Sequence, residues 1–174
     1  MMTLSLYEAL VPSMLQTLGA VDGLLTKAEA YAAEHGLAPS ELIDARLAPD
    51  MAPLGYQVKA CREHSLAAIA GVRDGHFTPS RAPWPTDFAG LHALLAEATG
   101  ALTALDAAEM DALAAAPVDF VMGEMRLPFT GTTFLLSFSQ PNFYFHATTA
   151  YAILRMKGLP LGKTDFLGRL RLGR

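Results

Sequence analysis

Asn142 and His146 stand four residues apart in a stretch of helical spacing, so their side chains share one face a turn apart. That face continues through Thr149, Ala150 and Ile153 and back through Leu135 and Phe138, which predicts that it points inward. Gln57, Cys61 and His64 share a face of an earlier helical stretch, with His64 beside the main apolar stripe. Two imidazoles and an amide oxygen brought together would suit one divalent ion. Neutral imidazole binds zinc, nickel or iron, and three protein ligands with open positions are the arrangement of a catalytic centre. The metal expectation is therefore His64, Asn142 and His146. A structural reading competes with it: His146, beside Phe143, Tyr144 and Phe145, is a hydrogen-bonded core histidine, and Asn142 satisfies carbonyls freed by Pro141.

Gln57, Cys61, Arg46 and Asp50 complete the candidates for a pocket. Arg46 and Asp50 flank a proline-framed turn and are expected to pair across it. The remaining histidines carry less: His35 falls at a helix end, His76 in a connection and His92 beside a stripe. No nucleophile elbow, phosphate loop, dinucleotide fingerprint or paired-cysteine zinc motif is present. Gly162-Lys163-Thr164 follows a helix instead of opening one, so it is not a phosphate loop.

Four stripes must position these groups. Tyr7, Val11, Met14, Leu18, Val21, Leu25, Ala28 and Ala32 alternate by four and three through a first helix, which His35-Gly36 closes. A short turn over Ser40–Asp44 is expected to have Ser40 as its cap. Leu54, Val58, Cys61, Ser65, Ala68 and Val72 mark a second helix. Pro79, Pro83 and Pro85 then lie in a long connection, with Thr86 as the expected cap of a third helix striped by Phe88, Leu91, Leu95, Ala98, Leu102 and Leu105. Asp106 caps a short helix reaching Ala115. Val118–Phe129 is expected to form a β-hairpin or an extended lid, and a fourth helix, bent at Pro141, spans Thr132–Lys157. The fold class that follows is all-α, an antiparallel four-helix bundle over 1–174 with 158–174 as a C-terminal tail.

Hydrophobic residues make up 52% of the chain and charged residues 17%, too few charges for disorder and few for the surface of a lone monomer. A homodimer is the expectation. The net charge of −4, with Arg169, Arg171 and Arg174 scattered at the end, argues against nucleic acid. One cysteine and an N-terminal stretch without signal-peptide character point to the cytoplasm. The stretch between Arg126 and Arg155 lacks Asp, Glu, Lys and Arg, yet Ser137, Ser139, Gln140, Pro141 and Asn142 interrupt it, so no membrane span is expected.

The run Ala45-Arg46-Leu47-Ala48-Pro49-Asp50-Met51 with Pro53-Leu54 and Gln57-Val58 resembles a bacterial family described as a domain of unknown function. Pro141-Asn142-Phe143-Tyr144-Phe145-His146 with Thr148-Thr149-Ala150-Tyr151 and the end from Gly158 to Gly168 carry the same resemblance along nearly the whole chain. That family is similar in fold to the DinB and YfiT-like metalloenzymes, often dimeric four-helix bundles that hold a divalent metal with three histidines. His146 matches the second member of the group's His-x-x-x-His pair, Asn142 replaces the first, and His64 lies a turn from the position of the helix-two ligand. The resemblance implies a small-molecule-binding or stress-related accessory protein with a degenerate metal site. The alternative is a divalent-metal-dependent enzyme, of thiol transferase or isomerase type, on a small substrate.

Overall fold

The computed structural model describes residues 4–173 and is mostly helical, with a small three-stranded sheet. The first residues and Arg174 lie outside the described residues. Helix α1, Leu6–His35, opens on a reciprocal cap: Ser5 Oγ accepts from the Glu8 amide, and Glu8 Oε2 accepts from the Ser5 amide, each at 3.1 Å. It closes at Gly36, whose φ of 64° turns the chain back while its amide reaches the Ala32 and Ala33 carbonyls. The short α2 is Ser40–Ile43, and its cap position belongs to Pro39, not to Ser40.

The second stripe forms α3, Leu54–Arg62, a π-helical turn at Glu63–Ala67, and α4, Ala68–Asp74. The third is α5, Phe88–Thr103, capped by Asp87, whose carboxylate accepts the Gly90 amide at 2.7 Å. Asp87 thus takes the cap position expected of Thr86. Asp106 caps α6, Ala107–Ala112, and a 3-10 turn ends at Ala115. The fourth stripe comprises α7 (Gly131–Thr133), a second π-helical turn at Phe134–Ser139, and α8, Gln140–Met156. The irregularity precedes Pro141, the second residue of α8, which lies inside one unbroken helical run where its missing N–H removes a bond to the turn before it.

Helix α1 packs on α5 and α8, and α3 packs on the same two partners, so their apolar faces share one core. Strands β2 (Pro117–Met122) and β3 (Met125–Thr130) form the expected hairpin, and β1 (His76–Phe77) adds in parallel, Phe77 opposite Phe120. Two residues are too few to leave a sequence period. After α8 the chain returns to α1. Helix α9, Lys163–Leu167, packs on α1, where Lys27 meets Asp165, Gln16 Nε2 donates to the Leu167 carbonyl at 2.8 Å and Arg171 donates to Ser13 Oγ at 3.0 Å. No single helix among the described residues is long and apolar enough to cross a membrane.

Candidate functional site

A π turn carries an extra residue and takes main-chain groups out of the regular helical ladder, and such turns favour functional positions. Here two of them meet. Ser139, the last residue of the second, donates its hydroxyl to the His64 carbonyl inside the first, at 2.9 Å and fully buried. Ser65 Oγ donates to the Cys61 carbonyl at 2.6 Å. The widened turn holds the His64 ring against Phe77 and Phe138, with centroids at 5.8 and 6.0 Å. On the facing helix His146 lies nearly parallel to it, 5.6 Å between centroids and 13° between planes.

The proton on His146 is placed by its neighbour. Gln57 Nε2 donates to the Ala52 carbonyl at 2.8 Å, which fixes Oε1 as the end that faces His146 Nδ1 at 2.7 Å. An amide oxygen only accepts, so Nδ1 carries the hydrogen and Nε2 keeps its lone pair. Tyr56 sets its ring edgewise on His146 at 5.8 Å, and Trp84 packs edgewise on Tyr56 at 5.9 Å.

Burial pushes both imidazoles down to about 4, and a proton on His146 would oppose one on His64 as well. Both rings are therefore neutral at neutral pH. His64 Nδ1 is the one buried side-chain nitrogen or oxygen without a hydrogen-bond partner among the described residues. Leaving such a group unpaired costs about 1–3 kcal/mol, so it is a group to account for.

Of the expected ligands, His64 and His146 come together. Asn142 turns its Nδ2 back to the Phe138 carbonyl at 2.7 Å, one turn up its own helix. Cys61 is wholly buried in the core, which pushes its thiol up to about 12. Arg46 and Asp50 are exposed and do not pair with each other; Arg46 Nη1 instead donates to the Met51 carbonyl at 2.9 Å and holds the turn that way. No group of three His, Cys, Asp or Glu side chains that could hold a metal occurs among the described residues. Two imidazoles with free lone pairs suit a ligand or an ion, but they do not make up a three-histidine set. Ser139 was legible only as a polar break in an uncharged stretch. Nothing in the spacing pointed to Lys59, buried one residue past the second stripe.

No curated protein matches the chain. Among solved structures it is similar to the crystal structure of a DinB family member protein from Shewanella denitrificans, with a TM-score of 0.81 and 28% identity over 97% of this chain and 95% of that one. The helices and the inserted hairpin therefore follow a DinB-like fold. Residues 6–167 match the domain of unknown function DUF1993, and the chain belongs to that family.

Proposed function

We propose that this chain is an antiparallel four-helix bundle of DinB type that binds a small molecule at the His64–His146 pair, with a degenerate metal site. The closed circuit of contacts among α1, α5, α3 and α8 supports the bundle. The observation that carries the functional reading is the fixed, neutral pair: His146 Nδ1–H committed to Gln57, and His64 Nδ1 buried without a partner. A ligand that brings a hydrogen-bonding group between the helices would answer that unmet nitrogen. The reading includes a cytoplasmic homodimer, supported by a charged fraction of 17% and by Phe145 and Met156, which are 55% and 51% exposed on α8.

The same nitrogen favours a second reading, a divalent-metal-dependent enzyme in which both imidazoles ligate the ion. One variant separates the two. If His146 is a hydrogen-bonding wall residue, His146→Ala leaves Gln57 Oε1 unpaired beside a cavity, lowers stability by about 2–4 kcal/mol and leaves metal content unchanged. If it is a ligand, the same loss of stability is accompanied by a fall in metal content measured on the same tag-free preparation.

A further inference from the structure

A cavity of about 410 Å³ opens between the proline-rich loop ahead of α5 and the turn of the β2–β3 hairpin. Its wall contains Lys59 and Arg81 but no carboxylate, and Tyr56, Trp84 and Met122 supply its large apolar surfaces. Lys59 is only 6% exposed. Its ammonium donates to the Ser80 carbonyl at 2.7 Å and the Ala82 carbonyl at 2.6 Å. An ammonium has three N–H groups, and the third has no acceptor among the described residues. Nor does any described carboxylate oxygen come within 4.0 Å of it.

Two carbonyls satisfy hydrogen bonds but do not neutralise a charge, and a buried cation without a counter-charge is costly. Glu63, one turn on, is engaged elsewhere: it accepts the Ser80 amide at 3.3 Å and lies 3.6 Å from Arg62, which grips Glu97 with two nitrogens at 2.7 and 2.9 Å. On its other side Lys59 borders a second cavity lined by Arg62, Glu63 and Glu97, whereas the wall of this one carries only the cations Lys59 and Arg81. Its aromatic wall is firmly seated, since a Cβ on Gly55 would lie 2.4 Å from Trp84 Cδ1. We propose that this cavity binds a small organic anion, its carboxylate on Lys59 and Arg81 and a flat apolar body against Trp84 and Tyr56. The assignment does not depend on the histidine pair, because it uses none of that pair's hydrogen-bonding groups.

Trp84 is the single tryptophan of the chain and lines both this cavity and its neighbour, so intrinsic emission reports binding at either, and Arg81, which lines only this one, separates them. Titration with phenylacetate should change that emission saturably, and the neutral isostere phenylacetamide should bind at least about tenfold more weakly. Arg81→Gln, on an exposed side chain, should weaken phenylacetate by a similar factor with an unchanged melting temperature. Lys59→Met should weaken it further, but it also removes the anchor of the loop, so Arg81→Gln decides. Equal affinity for acid and amide, no change in Trp84 emission, or wild-type affinity in Arg81→Gln would each overturn the proposal.

Discussion

Lowering the pH from 7 to 5 perturbs the histidine pair before it reaches the carboxylates. Folding depresses both imidazoles from 6.5 to about 4. Above 6.5 neither the folded nor the unfolded chain holds these protons, and the two rings add no pH dependence. Between 6.5 and about 4 the unfolded chain takes up a proton at each site that the folded chain refuses, so stability falls as pH falls. Below about 4 both states are protonated and the loss levels off. Each pH unit within the window is worth about 1.4 kcal/mol per proton, so pH 5 costs about 2 kcal/mol per histidine and about 4 kcal/mol for the pair. That is a large share of the roughly 5–15 kcal/mol that holds a domain folded. Glu97 and Asp165 are depressed carboxylates, and what they contribute is lost only below their ordinary range, outside this interval. Urea denaturation at pH 7 and pH 5 measures the loss, and His64→Gln should remove about half of it. His35, His76 and His92 are common to both proteins and cancel in the difference. A wild-type loss under about 1 kcal/mol, or an equal loss in the variant, would refute the burial argument.

Ser139→Ala should cost about 1–3 kcal/mol, because the His64 carbonyl then sits buried without its donor; a variant as stable as wild type would show that the contact between the π turns carries no weight. Light scattering should give a mass near twice 18.6 kDa, and a mass of 18.6 kDa at working concentration would end the dimer proposal.

Much of the helical framework was legible because burial repeats. Every member of the second stripe, from Leu54 to Val72, is buried, as are Phe88, Leu91, Leu95, Ala98 and Leu102 of the third. What escaped depends on local geometry or on distant partners. The two π turns leave the stripes intact while shifting the ladder, so His64 moves from beside the stripe into contact with His146. The Asp87 cap was misplaced by one residue, since Thr86 and Asp87 both carry capping side chains. Gln57 and His64 both meet His146, but the role of Gln57 depends on Ala52 fixing which end of the amide faces that ring. Lys59 looks like a surface lysine until the proline-rich loop folds over it, and no period in the sequence records that closure.

The central claim is that the histidine pair is a small-molecule site with an incomplete metal set, and calorimetric titration of zinc into tag-free, chelator-stripped protein tests it most directly. Metal centres with a full set of protein ligands are worth on the order of 10 kcal/mol or more. With two imidazoles alone, zinc should bind no tighter than a Kd of about 1 μM. Stoichiometric uptake at nanomolar Kd, abolished by both His64→Ala and His146→Ala, would contradict the account and establish a metal centre at this site.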